Sequence, residues 1–424
     1  MKAYKDLATD GGYNVVKSLL VAPDFSPEFI NDCDLDFQLN LSLITAETLT
    51  YILEAFKNSV HKQFPYQLLM KDVLIKEDRI LKVISETDNK PVEFIIEFVG
   101  KDANRYKYEI SYDAYRIVKE ELNYYPNKKV KKLFERVVEE DKKATIHKGV
   151  FGKDIDLKEI AIFHNQTLLS KFGEDIPNKI LSDVYIYFKN IDVINAFSSS
   201  RIADLNIEIT KEIKNDEILF NRLKELIKFA DTGIVSLNLQ ETNESDFKFP
   251  ENIPDNLRTK ILEDYKDQLS GLHNRFKDKE HIGSAPLPFD EESHGTNILY
   301  SLGGRMLRAL ENGTPLFVDE ICTGLHLKLI QILVGLFQNE RINPKNAQLI
   351  FTSHSINLLD QNMFRKDQIW FVEKDKYGES DLYSLQDFPD VREDTPFDKW
   401  YMAGKFGGLP NLKSLESLFI HSKR

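Results

Sequence analysis

The sequence predicts an α/β fold that carries an antiparallel β meander and a helical insertion, and three observations lead there. After Pro288 the apolar runs Leu316-Phe317-Val318, Leu349-Ile350-Phe351 and Ile369-Trp370-Phe371-Val372 are separated by helix-compatible stretches. That is the pattern of buried parallel strands joined by crossover helices. From Pro91, Val92, Phe94, Ile96 and Phe98 alternate with other residues, Gly100-Lys101-Asp102 can turn the chain, and Tyr106, Tyr108 and Ile110 alternate again, as antiparallel strands do. Between Leu157 and Lys279 long stretches suit a helix.

Taken in order, Val16, Leu19 and Leu20, and then Leu49, Ile52, Leu53, Phe56 and Val60, fall at helical spacing and predict two amphipathic helices. The meander continues past the turn residues Pro126 and Asn127 to the neighbourhood of Val138. Residues 218–229 and 257–276 read as helices. The second is dense in charge of both signs and suits a solvated helix better than a short coiled arm. The polar stretch 241–255, with Pro250 and Pro254, is the best linker candidate. Further helices are expected over 297–310 and 325–337 and near 356–359. No internal repeat or low-complexity tract interrupts the chain. The resulting division is an N-terminal part with the meander at 1–150, a helical insertion at 151–285 and a C-terminal lobe at 286–424.

With 424 residues, of which 42% are hydrophobic, the chain can build two or three domains and bury a sizeable core. Its formal charge of -12 argues against a surface dominated by phosphate contacts; a local basic patch would still permit nucleic acid, but none is indicated. Cys33 and Cys322 are far apart and form no disulfide framework or zinc pattern, which suits a reducing compartment. No apolar stretch approaches the roughly 20 residues that cross a bilayer, and the first residues contain no apolar core of a signal peptide. A cytoplasmic location without membrane contact is therefore expected.

Pro315-Leu316-Phe317-Val318-Asp319-Glu320 is an apolar strand that ends in two adjacent carboxylates. A buried parallel strand delivers its last residues to the ligand-binding edge of the sheet. There, one carboxylate can hold Mg²⁺ through water and the next can polarise an attacking water, so Asp319 suits the metal and Glu320 the base. A second apolar strand ends in Phe351-Thr352-Ser353-His354, from which His354 can reach a γ-phosphate in the neighbouring crevice. Upstream, Glu292-Ser293-His294-Gly295-Thr296 opens a helix, whose unpaired amides, with Gly295 admitting close approach, form an anion site.

Together these segments resemble the C-terminal lobe of ABC-type ATPases, a P-loop NTPase-like lobe. Ser293-His294-Gly295-Thr296 looks like a shortened signature motif, Leu316 to Glu320 like the Walker B strand and His354 like the switch histidine. The longer runs from Asp319 to His326, Ala347 to His354 and Arg365 to Lys374, with Tyr401-Met402-Ala403-Gly404-Lys405-Phe406-Gly407-Gly408-Leu409-Pro410, are similar to bacterial AAA-family ATPases linked to abortive infection. The resemblance is dense from Phe289 to Leu412. It implies ATP and Mg²⁺ as ligands and a head-to-tail homodimer in which Ser293, Gly295 and Thr296 of one subunit meet ATP held by the other. It also implies an ATP-driven conformational switch in phage defence that acts on a separately encoded effector. Cys322 departs from the family, which usually has an aspartate at that place.

Hydrolysis in this class uses GxxxxGK[ST], whose amides, lysine and hydroxyl hold the phosphates and Mg²⁺. The nearest candidate is Ala8-Thr9-Asp10-Gly11-Gly12-Tyr13-Asn14. On that register Gly11 is the late glycine and Asn14 opens the following helix, while Gly12 and Tyr13 stand where lysine and the hydroxyl residue belong. The loop and the strand before it are thus expected to be degenerate or missing. Two alternatives follow: a non-hydrolysing scaffold that keeps the dimer surface, and a DNA-end-binding repair-type ATPase, which the acidic balance disfavours.

Overall fold

The computed structural model describes residues 91–410 apart from 113–115, 139–143, 150–165, 176–177, 197, 243–257, 260–261, 263–265, 376–379 and 393. Among them, 91–353 belong to one compact unit and 354–410 to a second. The helices expected near Val16 and Leu49, and the sites Gly11 and Asn14, lie outside the described residues.

The meander forms as its alternation requires. Strands β1 (Val92–Val99), β2 (Arg105–Tyr112), β3 (Ile117–Tyr125), β4 (Lys131–Val138) and β5 (Ala144–Lys148) make one antiparallel sheet in sequence order. It runs one strand beyond the expected end at Val138. One face buries Phe98, Tyr106, Tyr108 and Ile110 against helices α1 (Leu168–Asp175) and α2 (Lys179–Lys189), where Phe98 stacks 4.1 Å from the Tyr187 ring. The other face carries charge, with Lys119 bridging Glu109 on β2 at 2.7 Å and Glu121 on its own strand at 3.2 Å.

Sheet and helices are also tied by a buried carboxylate. Glu120 on β3 is fully buried and accepts the Leu168 and Leu169 amides of α1 at 2.6 and 3.0 Å and the Tyr108 hydroxyl at 2.8 Å. Burial pushes its carboxyl above the ordinary glutamate range, against these donors and the nearby Arg136 charge. A carboxylate at a helix N-terminus satisfies amides that have no partner within the helix.

The next sheet is parallel, in the order β11 (Leu349–Phe351), β10 (Leu316–Asp319), β6 (Asp192–Asn195). β10 pairs on both sides, Leu316 facing Leu349 and Asp192. Helix α3 (Ser199–Lys214), helix α4 (Glu217–Phe229), the long α5 (His294–Asn312) and α6 (Leu327–Gln338) also belong to this unit. α5 approaches its neighbours closely because Gly303 and Gly304 lack side chains: a Cβ there would come within 2.4 Å of Leu226 on α4 and 2.6 Å of Ile209 on α3. It ends at Gly313, whose left-handed φ of 69° lets its amide bond back to Ala309.

Four expectations need correction. The charged segment 257–276 is not a continuous helix: β8 (Asp267–Lys277) pairs antiparallel with β7 (Ile234–Glu241) and β9 (Glu280–Pro288). Its buried residues, Leu269 and Gly271, alternate at period two, and Asp278 and Lys279 close the hairpin with φ of 52° and 69°, the double left-handed geometry of a two-residue turn. The stretch 151–285 is accordingly not purely helical. It contains β6, β7, β8 and the start of β9, and β6 is the strand of the parallel sheet that pairs with β10 on the side away from β11. In the second unit, β12 (Trp370–Lys374) is not a buried parallel strand but pairs antiparallel with β13 (Ser380–Ser384). There Phe371 packs with Leu385, Val391, Phe397 and Phe406, while Trp370 and Val372 are exposed. The expected helix at 356–359 is a single 3-10 turn, Ile356–Leu358, and among the described residues of this unit α7 (Phe397–Met402) is the α-helix.

One pH effect follows from α4. Asp216 caps it by accepting the Leu219 amide at 2.9 Å and also takes a hydrogen bond from Arg308, and these hold its carboxyl below the ordinary aspartate range. A depressed carboxyl stabilises the fold above its unfolded value and loses that contribution as pH falls through the folded value. Asp216→Ala should cost about 1 kcal/mol near neutral pH in chemical denaturation. The difference from wild type should shrink below about pH 4. A cost that stays constant into acid would refute the charged-cap account.

Candidate active site

The site is built where β10 stops. Its last residue, Asp319, is 2% exposed and faces Asn195 on β6. The neighbouring strand β11 stops at Phe351, which leaves Thr352 level with the turn. The Thr352 amide donates to the Val318 carbonyl at 3.0 Å and its carbonyl accepts from the Ile321 amide at 3.1 Å, so the hydrogen bonding continues one residue past the end of β11 and two past the end of β10. The Thr352 hydroxyl then donates to Asp319 Oδ1 at 2.6 Å and accepts the Glu320 amide at 2.9 Å. One hydroxyl thereby fixes both acidic residues.

Glu320 is half-buried and has φ of 55°, a left-handed value that a side chain other than glycine rarely adopts. Such a conformation costs on the order of 1–3 kcal/mol and persists only where its surroundings enforce it. Here the amide is held by Thr352, and the carbonyl accepts the Thr323 amide at 2.9 Å. The chain reverses through this turn to Gly324, also left-handed at φ 69°.

Gly324 brings the second part of the site into contact. Its carbonyl lies where a Cβ on Gly295 would come within 2.7 Å, so Gly295 cannot carry a side chain without displacing the turn after Glu320. Gly295 is in the first turn of α5, capped by Ser293, whose Oγ accepts the Thr296 amide at 3.1 Å and lies 2.8 Å from the Thr296 hydroxyl. Ser293 and His294 are exposed, Gly295 is half-buried and Thr296 is buried. The structure thus brings the first turn of α5, through Gly295, against Gly324 in the turn that follows Asp319 and Glu320. His354 is exposed and belongs to the second unit, ahead of the 3-10 turn Ile356–Leu358.

A polar seam along α3 holds α5 in place. Asn206 donates to Asn297 at 2.7 Å, the Thr210 and Tyr300 hydroxyls lie 3.1 Å apart, and Ser301 bonds Asn206. Further along, Arg305 bridges Glu208 at 2.5 Å and Glu212 at 2.9 Å, and Arg308 bridges Glu212 at 2.8 Å and Asp216 at 2.5 Å. Fixed partners along successive turns set the rotation of α5 about its axis, and with it the face on which Ser293 and Gly295 lie.

Mg²⁺ takes oxygen ligands, keeps several waters and is commonly held by one or two carboxylates together with substrate phosphates. Asp319 and Glu320 fit that donor chemistry. Among the described residues no group of three His, Cys, Asp or Glu side chains could hold a metal by itself. Cys322, in the same turn, lies 3.1 Å from the Ser353 hydroxyl. Sequence reasoning missed the role of Thr352; the available signal was a hydroxyl residue just past a strand parallel to the Asp-Glu strand. His273, which contacts Glu292 beside Ser293, was missed because its strand was read as helix.

Thr352→Val keeps the side-chain shape and removes the hydroxyl. It should lower stability by about 1–3 kcal/mol, since Asp319 Oδ1 loses its donor and the Glu320 amide its acceptor. A denaturation midpoint equal to wild type would show that the bridge does not hold the turn.

Among the described residues no helix is long and apolar enough to cross a membrane. No curated protein gives a significant match to the chain. A family model described as "AAA domain, putative AbiEii toxin, Type IV TA system" matches residues 79–360. That span is well over half of the 424 residues, and it holds Ser293, Gly295, Thr296, Asp319, Glu320 and His354 while Gly11 and Asn14 precede it. The chain belongs to this AAA-domain family.

Proposed function

We propose that the chain is an ATP-binding and ATP-hydrolysing conformational switch with an ABC-type, P-loop NTPase-like lobe, working as a homodimer in phage defence with a separately encoded effector. The observation that carries this reading is the Thr352 hydroxyl locking Asp319 and Glu320 at the end of a parallel strand, with the first turn of α5 packed against the same turn. The family supports the defence role, since its description joins an AAA domain to a toxin of a toxin–antitoxin system.

In this reading Asp319 would hold Mg²⁺. The ion, when bound, neutralises charge on the β- and γ-phosphates. Glu320 accepts a proton from the attacking water, with its backbone fixed in advance by Thr352 so that its carboxylate needs little reorganisation. Ser293, through its hydroxyl, and Gly295, through its amide, donate to the γ-phosphate of ATP held by a second copy, and Thr296 buttresses Ser293; His354 is assigned the role of γ-phosphate sensor. Gly11 and Asn14 serve the phosphate loop.

A second reading has its own observation. Gly12 and Tyr13 stand where the loop lysine and hydroxyl residue belong, which favours a non-hydrolysing scaffold. Equilibrium binding of ATP with Mg²⁺ separates the two. The switch reading expects binding that Asp319→Ala weakens, and turnover that Glu320→Gln slows by about 100-fold or more while ATP still binds. No binding at millimolar ATP would leave the scaffold; unchanged turnover in Glu320→Gln would remove that residue from the chemistry.

A further inference from the structure

The residue before Ser293 is anchored in an unusual way. The Glu292 side chain is 6% exposed, and its Oε1 lies 2.7 Å from Nε2 of His273 on β8. Burying a carboxylate is costly unless a donor meets it, so the His273 contact has a specific task. The strand makes room for it: a Cβ on Gly271 would come within 2.4 Å of Glu292 Oε1, which places the carboxylate against bare β8 backbone. The Glu292 carbonyl is held as well, accepting Asn297 Nδ2 of α5 at 3.1 Å. Just upstream, Phe289 is buried, its ring 4.8 Å from that of Tyr300 on α5.

Glu292 is thus pinned through its side chain to the β7–β9 sheet and through its main chain to α5. Its backbone is extended, φ -68° and ψ 163°, and the next residue is the α5 cap. Only the torsions around one peptide separate this anchor from the Ser293 hydroxyl. A change at His273 would therefore be felt at Ser293 before anywhere else on α5.

We propose that His273 is a positioning residue: through Glu292 it sets the Ser293 hydroxyl and the first turn of α5 in the orientation needed to engage the γ-phosphate of ATP on a second copy. This rests on the ATP-switch reading. It adds a requirement that the reading alone does not contain, namely that β8, remote from the Asp319–Glu320 turn in sequence, controls hydrolysis without touching nucleotide. His273 acts through another residue, so it should affect turnover at saturating ATP and not the affinity of a subunit for its own ATP.

The test compares wild type with His273→Leu, which removes the donor, and His273→Gln, whose amide can still donate to a carboxylate. Turnover at saturating ATP should fall about 10- to 100-fold in His273→Leu, as expected when a reacting group is misplaced by a fraction of an ångström to an ångström. The ATP dissociation constant should stay within about twofold and His273→Gln should recover most of the rate. Exchange of the Gly295 and Thr296 amides should speed up in His273→Leu alone, which reads positioning without nucleotide. Should His273→Leu fail to fold because Glu292 is left buried, the double variant His273→Leu/Glu292→Leu removes both partners and is expected to fold and to show the same loss of turnover. Unchanged turnover in the folded single or double variant overturns the proposal and leaves the ATPase reading standing. A wild-type chain that binds no ATP ends the ATPase reading and this proposal with it, while the exchange data still report whether His273 orders α5.

Discussion

The Thr352 hydroxyl gives one proton and accepts another, and the arrangement of the site depends on that exchange. Asp319 Oδ1 takes its proton and the Glu320 amide supplies the one it accepts, so the last residue of β10 and the first residue of the turn are fixed by a side chain from the neighbouring strand. Only a parallel register that brings β11 level with the end of β10 allows this, and the paired positions Leu316–Leu349 through Val318–Phe351 provide it. With the amide held, Glu320 can stay left-handed, the chain can reverse, and Gly324 can reach Gly295. Each later contact follows from where two short strands stop.

α5 is the element through which this turn meets the rest of the first unit. At its start it is tied to the turn by the Gly295–Gly324 approach and to β8 by Glu292; along its length it is tied to α3 by amides, hydroxyls and then Arg305 and Arg308. A seam of directional bonds specifies one rotation of a helix, whereas apolar packing of similar area tolerates several. That specificity is what an anion-binding helix end needs if its donors are to face a ligand on another molecule. It also gives α5 a means to report a change: movement at Ser293 would break or re-form identifiable pairs down the α3 face.

The parts of this arrangement legible in the sequence were those carried by hydrophobic period or by a motif. Alternation marked β1 and β2, and the apolar run ending in Asp319-Glu320 marked β10 and its acidic tip. Ser293 marked the start of α5 because a serine cap has a local mechanism, although the helix begins at His294 and not at Asn297. The β8–β9 hairpin was hidden because its turn uses Asp278-Lys279 without glycine, and because charge across 257–276 masked the two buried positions Leu269 and Gly271. β12 looked buried by composition, yet in a two-stranded sheet only Phe371 of its alternating face meets a core and Trp370 does not. Thr352 and His273 act through partners distant in sequence, so the hydroxyl just past β11 was the one trace of the first pair, and nothing local announced the second.

The central claim is that this turn and α5 serve an ATP-dependent meeting of two copies. Sedimentation velocity of Glu320→Gln, with and without Mg²⁺ and ATP, tests it most directly, because slowed hydrolysis should preserve the assembled state. The account predicts a shift from a lighter species to a dimer on adding ATP, abolished by substituting Ser293 with a bulky residue on the same background. A distribution that ATP does not move at any concentration would contradict it, and would leave the locked Asp319–Glu320 turn as a feature of the fold alone.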